Sequence, residues 1–316
     1  MRAFRRTIAT FSLALLCVLA LAMSAAAQLR QPRPSQKATI MQTIGVTDVS
    51  ITYSRPGVKG RTIWGDAPQG AAAGAATLDD ARVRAKDAPI VPYGHLWRTG
   101  ANEATLFTVT DDVLINGQKL AAGKYSLHTI PNRDEWTIIF NKDDGQWGSF
   151  AYDEKKDALR IKVKPQTAAE VEEWLSFSIP EVTPNTAKVA IRWERIIVPF
   201  TVEVPDVTAL TLSKARATVA AAKPDDWRTP LQAANYVFVN NLTANTAEAM
   251  TWLEQSIKIK ETYGNLYTKA RVLAGTGKTT EALAIAERAL VLGKADKTID
   301  TSDLEKRMAE WRTKKM

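Results

Sequence analysis

At Pro205 the spacing of apolar residues changes from every second position to every third or fourth, and no other feature constrains the fold as much. A period of two belongs to strands with one buried face, and a period of 3.6 to helices with one buried stripe. Two such regimes follow one another, each long enough to bury its own core. They predict an α+β chain with strands and helices segregated into two domains.

Before Pro205 the alternation recurs. Val49, Ile51 and Tyr53 alternate with Ser50, Thr52 and Ser54 until Arg55-Pro56-Gly57 ends the run, because proline has no N–H to give a ladder. Short apolar runs follow at 106–109 and 113–115, and Asn116-Gly117 before Leu120 is the strongest hairpin signal in the chain. Residues 125–130 and 135–141 form a second pair, joined by 131–134. Leu159, Ile161 and Val163 face away from Arg160, Lys162 and Lys164; Leu175, Phe177 and Ile179 repeat the pattern. Val189, Ile191 and Trp193 form a further run, and Val198, Phe200, Val202 and Val204 the last. Roughly nine or ten strands without a helical period between them predict an antiparallel β-sandwich, jelly-roll-like, or a flattened barrel over 37–205. Residues 67–89 break the rhythm with an Ala/Gly tract and then LDDARVRAKDAP, which fits one short helix in an inserted surface loop.

After Pro205, alanine-rich segments at 207–222, 228–242, 246–260, 263–274, 279–292 and 301–314 predict helices. Glu248-Ala249-Met250 and Ser256 match Glu281-Ala282-Leu283 and Ala289 at an offset of 33. Ala270, Gly277 and Ala282 fall where a tetratricopeptide-like helix pair needs small residues, so 206–316 is expected to be such an array, capped at one end by the β-domain. Gly275-Thr276-Gly277-Lys278-Thr279 imitates a phosphate-binding loop, but Val272 stands where the pattern needs glycine and no strand precedes it.

The N-terminus reads as a leader. Arg2, Arg5 and Arg6 precede an apolar run and then Ser24-Ala25-Ala26-Ala27, the marks of a secretory signal peptide over 1–27 cleaved after Ala27. Export to the periplasm or outside follows, with no stable membrane anchor after cleavage and a disordered, proline-containing lead-in at 28–36. Cys17, the one cysteine, leaves with the leader, which excludes disulfides, thiol nucleophiles and cysteine metal sites from the mature chain. The formal charge of +8 loses Arg2, Arg5 and Arg6, leaving a dispersed +5 that argues against nucleic acid.

Functional side chains crowd into VPYGHLWRTGANEAT, residues 91–105. Tyr93, His95, Trp97, Arg98, Asn102 and Glu103 are the candidate ligand contacts, with His95 and Glu103 the candidates for catalysis. Arg55, Lys59 and Arg61 sit on one Pro/Gly turn, and converging cations suit a carboxylate or phosphate. Trp147, in a glycine-rich loop, can stack on a flat ligand while most other tryptophans fill the core. His128 lies within a strand alternation and reads as a packed or surface side chain rather than a catalyst. Glu103, Asp143 and Asp144 are the carboxylates a glycosidase would draw on. With two histidines and no nucleophile elbow, neither a metal site, a cofactor nor a serine hydrolase is expected.

YSRPGVKGRTIWG, VPYGHLWRTGANEAT, AGKYSLHTIP, EWTIIFNKDDGQWGSF and the tail AANYVF…EAMTWLEQSIKIK resemble a bacterial family known as domain of unknown function 2911, closely over about 35–205 and more loosely beyond. The resemblance implies an exported β-rich domain followed by tetratricopeptide-like helices. It brings no assigned activity, so it carries no catalytic residue over, and the 67–89 insertion departs from the family pattern. The expected function is non-enzymatic binding. The β-domain would hold a small anionic or glycan-like ligand, and the helical tail would dock a protein partner. The alternatives are an envelope hydrolase using Glu103 with His95 or a loop aspartate, and a purely structural adaptor.

Overall fold

The computed structural model describes residues 31–67 and 88–313; the leader expected at 1–27 and nearly all of the insertion expected at 67–89, with its helix, lie outside the described residues. The strands are β1 (Gln36–Ile44), β2 (Thr47–Arg55), β3 (Trp64–Gly65), β4 (Val91–Pro92), β5 (Thr105–Val109), β6 (Val113–Ile115), β7 (Gln118–Leu120), β8 (Gly123–Ile130), β9 (Trp136–Asn141), β10 (Asp157–Val163), β11 (Gln166–Val182) and β12 (Thr186–Glu203). One antiparallel sheet runs β1-β2-β5-β8-β9-β10 and a second runs β11-β12-β6-β7, while β3 and β4 pair in parallel. The two large sheets bury one core, into which Val49, Ile51 and Tyr53 of β2 point.

Local chemistry sets the turns. Asn116 and Gly117 both take positive φ, 47° and 80°, as the two-residue turn of a twisted hairpin requires. The two runs that end the β-region are one strand, β12, and not two. Trp193 and Val198 both face the core, so the inward parity switches from odd to even between them. Glu194, at φ 55°, absorbs the switch where the pairing with β11 shifts register. A bulge of this kind turns the following side chains to the other face.

Trp64, Trp97, Trp136 and Trp193 meet in the core with ring centroids 5.0–6.4 Å apart, mostly edge to face. Truncating any one of them would cost about 3–5 kcal/mol. Trp147 and Trp174, by contrast, stay on the surface.

The helices are α1 (Val207–Ala220), α2 (Arg228–Val239), α3 (Thr246–Ile259), α4 (Tyr263–Gly275), α5 (Thr279–Ala295) and α6 (Ser302–Thr313). They pack mainly as successive pairs, α2 on α3 and α4 on α5. Ala249, Ser256, Ala270, Ala282 and Ala289 are all fully buried, so small side chains lie where the helices approach. Gly277, at φ 80°, turns α4 into α5, which accounts for the glycines that imitate a phosphate loop.

The helices are tied to the sandwich through α1. Val207 and Leu210 pack against the sandwich core. Lys214 Nζ reaches Asp111 Oδ2 at 2.7 Å and the Val46 carbonyl at 2.9 Å. Gly45 lies in the β1–β2 turn at φ 59°, where a Cβ would come within 2.5 Å of the Val207 side chain, so the joint admits only glycine there.

Candidate functional site

Residues 93–104 form a loop over one end of the six-stranded sheet, held at both sides by main-chain bonds. Trp97 exchanges N–H···O bonds with Thr129 of β8 at 2.7 and 2.8 Å. On the other side the loop pairs with the β9–β10 connection: Glu103 bridges to Trp147, Ala104 N–H donates to Gln146 O and Gly148 N–H to Asn102 O, both at 3.0 Å. Gly100 is packed between the Thr105 hydroxyl and the Ser54 carbonyl, each within 3.2 Å of where a Cβ would sit.

The structure separates the predicted residues into three groups. Trp97 is core: its indole N–H donates to the Gly100 carbonyl at 3.0 Å. Tyr93, His95 and Arg98 shape the loop. Arg133 stacks 4.9 Å over the Tyr93 ring, His95 Nδ1 lies 3.0 Å from the Tyr93 carbonyl, and Arg98 Nη1 donates to the Asn102 carbonyl at 3.0 Å. Asn102, Glu103 and Trp147 come together at the rim. His95 and Glu103 share no contact among the described residues.

Arg55, Lys59 and Arg61 are engaged elsewhere. Arg55 Nε donates to the Leu175 carbonyl at 2.9 Å, and Arg61 donates to the carbonyls of Val58 and Gly57. Lys59 N–H donates to Glu173 Oε1 at 2.9 Å while its Nζ lies 5.6 Å over Trp174. The Arg55 and Lys59 contacts dock the turn on β11, and the Arg61 bonds close the turn on itself.

Sequence reasoning missed Arg33. In the lead-in expected to be disordered, its Nη1 lies 2.7 and 2.9 Å from the two carboxylate oxygens of Glu103, and its guanidinium sits 5.7 Å over the Trp147 ring. Asn102 Nδ2 donates to the Ser35 carbonyl at 3.2 Å, fixing the same segment. Burial alone would raise the pKa of Glu103, but the Arg33 bond, the Glu103 backbone and the charges of Arg33 and Lys37 outweigh it, so the carboxyl is held ionised below its ordinary range. Beside it lies a cavity of about 150 Å³ lined by Lys37, Thr52, Ser54, Glu103, Asp144 and Gln146, among others.

A polar network, also unforeseen, holds the β9–β10 connection onto the sheet. Asp157 accepts from Tyr152 Oη, Asn141 Nδ2 and Arg160 Nε at 2.6–2.9 Å. Asn141 Nδ2 also donates to the Asp153 carbonyl at 2.9 Å. His128 packs against Tyr152, fully buried, with Nδ1 3.4 Å from Ser126 Oγ and no partner for Nε2 among the described residues. Burial pushes its pKa down to about 4, against the opposing pull of nearby carbonyls and Asp157, so the ring is neutral. Burial and Asp157 push the Tyr152 hydroxyl up. Ser126 and His128 occupy off-core positions of β8, which the alternation marks as solvent-facing; only the covering loop buries them.

A larger hollow of about 540 Å³ opens among the helices, lined by residues that include Asn235, Val239, Thr268, Arg271, Arg307 and Trp311. Its charged groups are already engaged, Arg307 with Asp303 at 3.0 Å and Arg271 over Tyr267 at 5.7 Å. The rim therefore has the stronger claim as a ligand site, despite its smaller cavity.

A model of the family described as Protein of unknown function (DUF2911) matches residues 35–202, the span of the two large sheets. Neither the curated proteins nor the solved structures contain a match to the chain.

Proposed function

The chain belongs to the DUF2911 family, and we propose that it is an exported, non-enzymatic binding protein whose sandwich rim holds a glycan-like ligand against Trp147. The observation that carries the proposal is that indole. It is 54% exposed, yet it sits at a backbone bridge to Glu103, and the neighbouring cavity is lined by Glu103 and by Gln146, the residue before it. An exposed aromatic face beside carboxylate, amide and hydroxyl groups matches a sugar, with its apolar C–H face and ring of hydroxyls. Arg55 and Arg61 donate to main-chain carbonyls, which favours a neutral polyhydroxylated ligand over an anionic one.

One observation favours the hydrolase alternative: Glu103 and Asp144 line the same cavity. A glycosidase needs one carboxyl held protonated as general acid. Glu103 is pulled the other way and cannot be that acid, and its ionised oxygens are both taken up by Arg33, which weighs for binding. In the same proposal the helices form a tetratricopeptide-like array that docks a protein partner along the groove at Val239 and Trp311. The 33-residue spacing and the buried small residues support this. The charged, apolar and small-residue succession at the N-terminus supports export to the periplasm or beyond.

Calorimetric titration of the mature chain with a panel of neutral oligosaccharides tests the proposal. Binding by at least one, weakened about tenfold or more in Trp147→Ala, is the expected result. Undiminished binding by the variant would remove the rim from consideration. Release of reducing ends that disappears in Glu103→Gln would replace binding with hydrolysis.

A further inference from the structure

Trp147 and Glu103 already hold something. One side chain, Arg33, meets both carboxylate oxygens of Glu103 at 2.7 and 2.9 Å and covers the Trp147 ring at 5.7 Å, while the carbonyl of Ser35, two residues on, accepts from Asn102. We propose that the notch between Glu103 and Trp147 is a receptor for an arginine displayed on an extended, proline-flanked segment, and that Arg33 occupies it as a tethered competitor. The proposal rests on the rim being a binding surface, and it adds the chemical class of one group that the surface takes.

Three features carry it. The receptor half is built independently of its occupant: the Glu103–Trp147 bridge and the bonds from Ala104 to Gln146 and from Gly148 to Asn102 set the carboxylate and the indole side by side whether or not Arg33 is there. A flat, weakly hydrated guanidinium is the cation best suited to lie on an indole while bonding a carboxylate. The occupant is also preorganised. Pro32 and Pro34 flank Arg33, and the ring of Pro34 biases Arg33 to extended backbone, so little conformational freedom is lost on docking.

The arrangement also allows exchange. The Arg33 and Glu103 side chains are 47% and 36% exposed, so an incoming segment can reach the pair without opening the core. The occupant comes from residues 31–35, ahead of β1, where these are the contacts that anchor the chain among the described residues, and breaking them frees the segment to swing away. A tethered group competes at a high effective concentration, so any external arginine binds more weakly while Arg33 is present.

The probe is the pentapeptide Gln-Pro-Arg-Pro-Ser, the sequence of residues 31–35, added to the ¹⁵N-labelled full mature chain. The indole N–H resonance of Trp147 is identified by its loss in Trp147→Phe. The peptide is expected to shift that resonance saturably in Arg33→Ala, about twofold more tightly than in wild type, whose own Arg33 fills about half of the notches. The shift is expected to vanish in Arg33→Ala/Glu103→Gln, and with a peptide carrying glutamine in place of arginine. Equal binding to wild type and Arg33→Ala, or equal binding of the glutamine peptide, would overturn the proposal. If neutral oligosaccharides move the resonance and the arginine peptide does not, the arginine receptor is excluded and the glycan surface stands. If neither moves it, both are excluded.

Discussion

Two places on the sandwich set a cation over a part-exposed tryptophan beside a glutamate, and they do different work. In the turn after β2, Lys59 lies 5.6 Å over Trp174 and Glu173 accepts the Lys59 main-chain N–H. At the rim, Arg33 lies 5.7 Å over Trp147 and its guanidinium meets the Glu103 carboxylate. The side-chain inventory is nearly the same, but the backbone commitment is not. The turn is bridged to β11 through Gly57 and Trp174, and Val58 N–H donates to the Glu173 carbonyl at 2.8 Å. Arg33 brings side-chain contacts alone, and the segment adds the Ser35 carbonyl, which accepts from Asn102. A cation on an indole whose own backbone is bonded to the same element is a staple; where that bonding is missing, the proposal makes it an exchangeable occupant.

The rim also rests on a buried polar floor that the turn lacks, and breaking that floor gives the largest expected effect. His128 has its pKa lowered from 6.5 to about 4 by burial. The unfolded chain therefore takes up a proton near pH 6.5 that the folded chain refuses until about pH 4, so stability present above pH 6.5 is lost as the pH falls through that window. The loss attributable to this residue is about 3 kcal/mol. Urea unfolding at pH 7 and pH 4, followed by tryptophan fluorescence, should show it. His128→Gln should remove most of the difference between the two pH values, even if it lowers stability at pH 7. A variant with the full wild-type pH dependence would show that His128 is not the group refusing the proton.

A substitution at the turn gives the next largest effect. A Cβ on Gly57 would sit 2.8 Å from Glu173 Oε1 and 3.1 Å from the Trp174 ring, too close for either to stay in place. Gly57→Ala should lower stability by about 1–2 kcal/mol by urea unfolding, because the carboxylate can swing aside but the ring is fixed by the strand bridge. It should leave peptide and oligosaccharide binding at the rim unchanged. Loss of rim binding in this variant would mean that the two clusters are coupled and the contrast between them fails.

The fold was legible where the period was local. The Asn116-Gly117 hairpin, the alternation in β2 and the helical segments after Pro205 each express a rule that needs only neighbouring residues. Even the bulge at Glu194 left a trace, in the change of parity between Trp193 and Val198. The rim was half legible. Glu103 and Trp147 carry chemistry that stands out in a string of letters, but their pairing joins residues 44 positions apart. Arg33 was hidden by its setting, because a proline-containing lead-in has no periodicity to announce a partner 70 residues away. Arg55, Lys59 and Arg61 misled for the opposite reason. Nearness in sequence suggested convergence, but Arg55 and Arg61 bond main-chain carbonyls and Lys59 lies over Trp174. The floor under the rim left almost no trace, since the off-core face of β8 looks like any solvent-facing strand until residues 142–156 cover it.

The smallest expected effect sharpens the comparison most. Although Glu103 is held ionised, its pairing with Arg33 is more than a third exposed, and exposed pairs contribute little to stability because water and salt screen them. Arg33→Ala should therefore lower stability by no more than about 0.5 kcal/mol, half or less of the effect of Gly57→Ala. Because the folded carboxyl has its pKa lowered, the small contribution is present above the ordinary glutamate range and is lost as the pH falls through it. It should also shrink when salt is raised from low to physiological strength, whereas the packing clash at Gly57 should not respond to salt. Urea unfolding of wild type, Arg33→Ala and Gly57→Ala at two salt concentrations separates the cases. If Arg33→Ala proves as damaging as Gly57→Ala and as indifferent to salt, then Arg33 is a staple too, and the rim has no exchangeable occupant.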